Sequence, residues 1–145
     1  MSAAEDQVEH AAFPAPQVSE LTAPYWNALA EGRLTFQRCV ACRHAWLPAR
    51  TECPRCLGRE AVWETASGNA RLVSWVVYHH GYHPYFASRL PYTVAVVELA
   101  EGPRMIAGLA PHERPLRIDL PLKLVIQHEA GAALPRFAAA GQGVR

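Results

Sequence analysis

The sequence predicts a mainly β protein in which an N-terminal helix is followed by a four-cysteine module and a small closed β-barrel. Three observations lead to this prediction. A short amphipathic stretch occupies residues 21–35, and two Cys-x-x-Cys pairs lie between residues 36 and 62. From residue 63 to residue 137 the chain contains four or five short β-type runs separated by turns, a pattern typical of small barrels.

The first 35 residues predict a tail and one helix. Residues 1–20 are rich in Ala, Pro and acidic residues without an apolar period, so we expect a mobile tail. In "LTAPYWNALAEGRL", Thr22 can cap a helix, Pro24 suits its first turn and Gly32 offers a stop. Trp26, Leu29 and Ala30 are predicted to share one helical face.

The cysteine module has the spacing Cys39-x₂-Cys42-x₁₀-Cys53-x₂-Cys56. Two such knuckles can place four thiolates around one tetrahedral ion, and we favour structural zinc over iron. Two disulfides or a dithiol redox pair are the alternatives.

The residues that follow the two knuckles are unusual for such turns. Arg43 and Leu57 stand where a knuckle often has glycine, and Gly58 comes one position later. We therefore expect Arg43 to adopt a left-handed backbone conformation at a cost of about 1 kcal/mol. His44 is expected to be a surface residue rather than a ligand.

The remaining chain predicts the barrel strands. "RLVSWVVYHH" and "YTVAVVEL" are β-branched and aromatic, "RMIAGLA" follows a tight turn, and "LRIDLPLKLVI" alternates apolar and polar residues at period two. Pro121 marks an edge or the start of a strand. A last short segment precedes a loose tail at residues 138–145.

The stretch "YHHGYHPYF" concentrates histidines and aromatic rings after the first barrel strand. His79 and His80 are expected on that strand, where neighbours point to opposite faces, and no acid lies between Glu64 and Glu98, which argues against a second metal. No nucleophile with a base and an orienting group is readable, so no catalytic residue is assigned. The stretch either plugs the barrel or forms a partner interface; the interface residues would be His80, Tyr82, His83, Tyr85 and Phe86.

Charge is unevenly distributed, although the net charge is only +1. Residues 33–59 contain six arginines and one acid, and guanidinium groups suit phosphate or carboxylate. No apolar run approaches the length of a membrane span, and the N-terminus lacks the layout of a secretory signal, so we expect a cytoplasmic protein.

The segments "PYWNALAEGRL", "FQRCVACRHAWLPARTECPRC", "LPYTVAVVELAEGPRMIAGL" and "LPRF" occur in an order that resembles the DUF35 family. The resemblance covers about residues 20–137 and implies a rubredoxin-like zinc ribbon followed by an OB-fold. It implies that the four cysteines bind zinc and that the catalytic residues belong to a partner.

The same resemblance implies the partners. Members associate with thiolase-fold enzymes, including thiolases and aldolases of steroid side-chain degradation, or with MaoC-like hot-dog enoyl-CoA hydratases. We expect an accessory subunit of such a complex, as a heterotetramer, with acyl-CoA as the ligand. Arg43, Arg50 and Arg55 of the ribbon are the candidate contacts to CoA.

Three other functions stay open at this point. Zinc ribbons and OB-folds also bind nucleic acids, although the near-neutral charge lacks the expected basic footprint. A rubredoxin-like electron carrier is the second alternative, but that function would not explain the attached barrel. A stand-alone acyl-CoA enzyme would have to turn over substrate without a partner.

Overall fold

The computed structural model describes residues 12–141 and confirms the mainly β prediction. Its helices are α1 (Ala23–Ala30) and a 3₁₀-helix (Pro84–Arg89). Its strands are β1 (Thr35–Cys39), β2 (Ala45–Trp46), β3 (Ala61–Thr65), β4 (Asn69–Tyr78), β5 (Tyr92–Leu99), β6 (Arg104–Leu109), β7 (Pro121–Glu129) and β8 (Ala132–Ala139). Neither helix among these residues has the length and apolar character needed to cross a membrane.

Helix α1 begins and ends as the sequence predicts, but its cap differs. Pro24 lies in the first turn, and Gly32 follows the helix with a φ of +87°, where glycine has no Cβ penalty. Thr22 occupies the N-cap position, yet its hydroxyl makes no cap bond and instead accepts from the Ser19 N–H at 2.9 Å. Of the three residues expected on one face, Leu29 is buried, Trp26 is half-buried and Ala30 is exposed; Ala28 is the other buried residue of the helix.

The ribbon contains a three-stranded antiparallel sheet in the order β2-β1-β3. Strand β3, which the sequence analysis did not predict, pairs along the whole of β1, from Thr35 opposite Thr65 to Cys39 opposite Ala61. The ribbon sheet therefore continues past residue 62, where we had expected it to end. Residue 35, expected at the end of the helical segment, already belongs to β1.

The barrel closes in the order β4-β5-β6-β8-β7. All neighbouring strands are antiparallel except β6 and β8, which are parallel where Gly108 lies opposite Arg136 and Leu109 opposite Phe137. This pair closes the barrel, although Pro135 in the middle of β8 would normally argue against a strand. Strand β8 reaches Ala139, so the tail predicted from residue 138 begins later; residues 142–145 lie outside the described part.

Two strand boundaries were predicted wrongly. The alternating pattern from Leu116 suggested one long strand, but the chain turns at Arg117–Leu120, and Asp119 has a φ of +65°. The turn is held because Asp119 forms an ion pair with Arg71 and its N–H donates to the Leu72 carbonyl at 2.8 Å. Strand β7 starts at Pro121, where the proline had predicted either an edge or the start of a strand.

The second wrong boundary concerns the histidine-rich stretch. Strand β4 ends at Tyr78, so His79 and His80 lie in the following loop and not on the strand. Of the predicted N-terminal tail, residues 1–11 lie outside the described part. Residues 12–18 have no regular secondary structure, and the ring of Phe13 lies 5.2 Å from that of Tyr85, edge to face.

One apolar cluster joins the three parts of the chain, and a second, smaller one surrounds the cysteines. The helix contributes Leu29, the ribbon contributes Phe36, and the barrel contributes Leu72, Val97 and Phe137, all at most 1% exposed. Burial of such side chains stabilises the folded state by roughly 1.5–3 kcal/mol each. The helix and ribbon are therefore held against the barrel by shared packing.

Because Leu29 belongs to this shared core, Leu29→Ala is expected to destabilise the whole protein by about 2–5 kcal/mol. Chemical denaturation of the metal-loaded protein measures the change. Asn27→Ala, on the exposed side of the same helix, is the control and should change the free energy of unfolding little. Equal effects of the two variants would contradict a core shared by helix and barrel.

Candidate functional site

The four predicted metal ligands converge at the tips of two knuckles. The sulfurs of Cys39, Cys42, Cys53 and Cys56 all lie within 4.8 Å of one another. The Sγ–Sγ distance is 3.5 Å between Cys39 and Cys56 and 3.7 Å between Cys42 and Cys53. Zinc–sulfur bonds of about 2.3 Å in a tetrahedron require sulfur separations of about 3.8 Å. The donor set therefore fits a zinc ion, and all four cysteines are free thiols that could ligate it.

The two knuckles share one hydrogen-bond pattern. In the first, the Arg43 N–H donates to the Cys39 carbonyl at 3.0 Å; in the second, the Leu57 N–H donates to the Cys53 carbonyl at 2.9 Å. Backbone N–H groups also point at the sulfurs, as from Gly58 to Cys56 Sγ at 3.4 Å. Such donors stabilise thiolates and orient them toward a metal.

The missing knuckle glycines have a structural explanation. Arg43 and Leu57 adopt φ values of +68° and +66°, which confirms the expectation for Arg43 and extends it to Leu57. Gly58 has another role, since a Cβ at this position would lie 3.3 Å from Cys56 Sγ and 3.5 Å from Cys39 Sγ. The glycine that comes one residue late thus leaves room for the sulfur cluster.

The thiols ionise unequally before a metal binds. The backbone N–H of Cys42 is the main group that lowers the pKa of Cys39, to about 7. The Gly58 N–H acts to lower the pKa of Cys56, but the three neighbouring thiols outweigh it and raise that pKa to about 12. Metal binding must therefore displace protons from the cluster, so the metal affinity should rise with pH.

His44 stands apart from the sulfur cluster. Its backbone carbonyl accepts from the Cys39 N–H at 2.8 Å, and its ring stacks on Trp46 at 6.2 Å between centroids. In the described part of the chain, the grouping of potential metal ligands consists of the four cysteines alone.

The three ribbon arginines proposed as CoA contacts are exposed, and no described cleft brings them together. Arg43 lies 3.7 Å from Glu64 in an ion pair. Arg50 uses its backbone N–H to bind Gln37 Oε1 at 2.7 Å, and Arg55 directs its N–H at Cys53 Sγ at 3.4 Å. Their guanidinium groups are accessible to a ligand or to a partner chain.

The histidine-rich stretch divides into a half-buried part and an exposed part. His83 caps the 3₁₀-helix by accepting from the Tyr85 N–H at its Nδ1 (3.1 Å). The half-buried Phe86 packs against His83 and Tyr92. These contacts make His83, Tyr85 and Phe86 part of the cover over one end of the barrel.

The exposed part consists of His80 and Tyr82. Tyr82 is 79% exposed, and its ring meets that of His80 at 4.7 Å, edge to face. Nearby on β4, the consecutive residues Val76 and Val77 are 55% and 45% exposed, so both faces of the β4–β5 hairpin end are accessible. This apolar, aromatic surface is called here the hairpin surface: Val76, Val77, Tyr78, His80 and Tyr82.

An ionic network around the buried Glu129 carboxylate, which no sequence pattern predicted, fastens the 3₁₀-helix to the barrel. Glu129, at the end of β7, forms an ion pair with Arg89, lies 3.7 Å from Arg136 and accepts from the Tyr85 hydroxyl at 2.5 Å. Arg89 also lies over the Tyr85 ring at 4.6 Å. The contact between Tyr85 and Glu129 spans 44 positions along the chain, so no local pattern could reveal the network.

The network shifts two pKa values in opposite directions. Burial acts to raise the pKa of Glu129, but the Tyr85 hydrogen bond and the Arg89 charge outweigh it and hold that pKa below its usual range. The hydrogen bond to the Glu129 carboxylate, aided by burial, raises the pKa of Tyr85. At neutral pH Glu129 is therefore ionised and Tyr85 keeps its proton.

The purified protein is expected to contain one zinc ion per chain and to lack visible absorption, as measured by elemental analysis and spectroscopy. Cys53→Ser should lose tight metal binding because it removes a fully buried ligand. His44→Ala is the control and should keep the metal. A red protein whose visible absorption disappears on reduction would identify iron instead.

The low pKa of Glu129 predicts an acid-dependent loss of stability. Its contribution is fully present above the unfolded pKa of about 4.3 and is lost as the pH falls through the lower folded value. Glu129→Gln should therefore flatten the pH dependence of the free energy of unfolding in that acidic window. Glu60→Gln, at an exposed ribbon position, should not, and the same acid profile in both variants would contradict this role.

Comparison with known proteins matches the two parts of the chain separately. The family model described as the rubredoxin-like zinc ribbon domain of ChsH2 matches residues 26–62, and that of the C-terminal OB-fold domain of ChsH2 matches residues 63–127. The fit of the four sulfurs to zinc and the ribbon match together make this a structural zinc site.

Two curated relatives match this chain over part of their length. A probable enoyl-CoA hydratase alpha subunit from Thermomonospora curvata is 36% identical over 124 residues, which is 82% of this chain and 37% of the relative. A DUF35 domain-containing scaffold protein from Methanothermobacter thermautotrophicus is 36% identical over 77 residues, 52% of this chain and 57% of the relative. The chain thus spans between about a third and somewhat over half of their lengths.

Two solved structures share the fold. The Ltp2-ChsH2(DUF35) aldolase contains a chain that is 32% identical, with a TM-score of 0.77 over 87% of this chain and 99% of that one. A DUF35-family protein of unknown function from Sulfolobus solfataricus superimposes with a TM-score of 0.62 at 14% identity, covering 84% of this chain and 87% of that one, a likeness of fold alone. With its helix, zinc ribbon and OB-fold in this order, the chain belongs to the DUF35 family.

Proposed function

We propose that the chain is an accessory subunit that forms a complex with a thiolase-fold enzyme, a thiolase or a retro-aldolase, and completes or stabilises its acyl-CoA site. The observation that carries the proposal is the similarity to one chain of the Ltp2-ChsH2(DUF35) aldolase. The superposition covers 99% of that chain. The scaffold role named for the Methanothermobacter relative supports a subunit of this kind. Degradation of steroid side chains or of other acyl-CoA thioesters is the proposed context, in the cytoplasm.

The hairpin surface is the proposed docking site for the catalytic partner. The hairpin end exposes valines on both faces and a tyrosine that is mostly accessible to water. Exposed apolar patches of this kind mark interaction sites. Tyrosine is enriched among residues that dominate binding energy. His83, Tyr85 and Phe86 support this surface from behind, whereas His80 and Tyr82 would touch the partner directly.

The zinc site has a structural role in this proposal, because four thiolates leave no open coordination position for a substrate. We assign no catalytic residue to this chain; the catalytic residues are proposed to belong to the partner. The exposed Arg43, Arg50 and Arg55 are proposed to meet CoA phosphates at the subunit boundary. A 2:2 heterotetramer is the proposed assembly.

A MaoC-like enoyl-CoA hydratase is the second candidate partner. The name of the Thermomonospora relative, a probable enoyl-CoA hydratase alpha subunit, favours it. Purification of the tagged protein from its host and mass spectrometry of the co-eluting chain separate the two: a thiolase-fold chain supports the first candidate, and a hot-dog chain the second. Salt-sensitive binding to single-stranded DNA without either enzyme would favour a nucleic-acid function instead.

Tyr82→Ala is expected to weaken binding of the purified partner at least about tenfold, since an exposed aromatic anchor is removed. Its thermal midpoint should stay unchanged because Tyr82 is 79% exposed. Ile118→Ala is the control, as Ile118 is an apolar residue with 57% exposure outside the hairpin surface. Calorimetric titration measures both affinities, and equal affinities would contradict docking through the hairpin surface.

A further inference from the structure

A basic cleft lies at the end of the barrel beneath the 3₁₀-helix. It has a volume of about 990 Å³ and is bordered by the ends of β4, β6 and β7 and the start of β5. Its polar lining includes Arg89, Arg136, His112, His128 and Gln127, and none of the acidic residues within 12–141 lines it. The cleft is separate from the zinc site and from the ribbon arginines.

The charge balance around this cleft is uneven. Within residues 12–141, Arg89 and Arg136 form ion pairs with the same carboxylate, that of Glu129. Two guanidinium groups therefore share one negative charge and leave one positive charge uncompensated. The side chain of Arg136 is only 26% exposed, so this charge is partly withdrawn from water and should attract an anion strongly.

The Arg136 guanidinium packs against the backbone of β6. Gly108 lies opposite Arg136 in the parallel pair that closes the barrel, and a Cβ on Gly108 would overlap with Arg136 Nη1. The guanidinium thus lies directly over the β6 backbone, where most side chains would block it. The Arg136 Nε is buried and has no hydrogen-bond partner among the described residues, so the guanidinium nitrogens Nη1 and Nη2 are the donors that a ligand could reach.

From this arrangement we propose that the barrel-end cleft binds the phosphate or carboxylate group of a small-molecule ligand through Arg89 and Arg136. Glu129 holds the Arg89 guanidinium in position and lies 3.7 Å from that of Arg136, and His112 and His128 lie at the same cleft. Planar guanidinium groups bind either anion through charge-assisted, often bidentate, hydrogen bonds. The binding does not require the partner enzyme, so it stands apart from the proposed docking function.

The test uses the full-length, zinc-loaded, ¹⁵N-labelled protein, titrated with inorganic phosphate, pyrophosphate and acetate at constant ionic strength. Saturable NMR shifts are expected at the Gly108 amide and the Nε–H groups of Arg89 and Arg136. Tighter binding of the phosphates than of acetate would identify a phosphate ester as the ligand, and the reverse order a carboxylate. Shifts that do not saturate, or that centre on the ribbon arginines, would overturn the proposal.

Gly108→Ala is the sharpest variant because it displaces the Arg136 guanidinium while keeping every charge. The displaced atom is the end of a flexible side chain, so the fold should persist, which the spectrum itself reports. Anion affinity should fall at least about tenfold, the usual effect of losing one charge-assisted contact. Arg104→Gln, which removes an exposed charge from the same strand, should leave the affinity unchanged; equal affinities of Gly108→Ala and wild type would also overturn the proposal.

Discussion

The shared apolar core is the constraint on which the rest of this structure depends. Leu29 from α1, Phe36 from the ribbon and Phe137 from the barrel are buried in one cluster, at most 1% exposed. Neither the two-residue strand β2 nor the eight-residue helix could persist alone, because elements this short gain little from local hydrogen bonds. Their packing on the barrel sets the orientation of the metal site relative to the barrel surfaces.

The zinc site and the barrel end use different physical means to keep a loop in one conformation. In the knuckles, two non-glycine residues are held at positive φ, and metal–thiolate bonding can offset the strain of about 1–2 kcal/mol at each. At the barrel end, a buried carboxylate shared by Tyr85, Arg89 and Arg136 holds the 3₁₀-helix in place. The first loop depends on a metal, and the second depends on ionisation of Glu129.

Two surfaces with different chemistry adjoin the 3₁₀-helix. The hairpin surface exposes valines and Tyr82 and is suited to a protein partner. The neighbouring cleft, which shares Val77 with the hairpin surface, contains Arg89 and Arg136 and is suited to an anion. Because Tyr85 and Phe86 belong to the same short helix, a change in that helix would affect both surfaces together.

Local sequence patterns determined much of the fold and the whole metal site. The Cys-x-x-Cys spacing predicted the four ligands, because a knuckle needs only neighbouring residues to orient two sulfurs. The β-branched runs predicted β4, β5 and β6, and Gly32 predicted the helix end, since these signals act within a few residues. The exposed Tyr82 and His80 could be named as interface candidates, but not separated from the structural Tyr85.

Only the tertiary structure decided the features that depend on distant partners. The turn at Asp119 interrupts an alternating pattern because Arg71 and Leu72, more than 40 positions away, bind it in place of a continued strand. Strand β8 forms despite Pro135 because β6 and β7 offer it partners on both sides. The basic cleft arises because the ends of β4, β6 and β7, the start of β5 and Arg136 of β8 meet beneath the 3₁₀-helix, and no pattern within one segment carries that information.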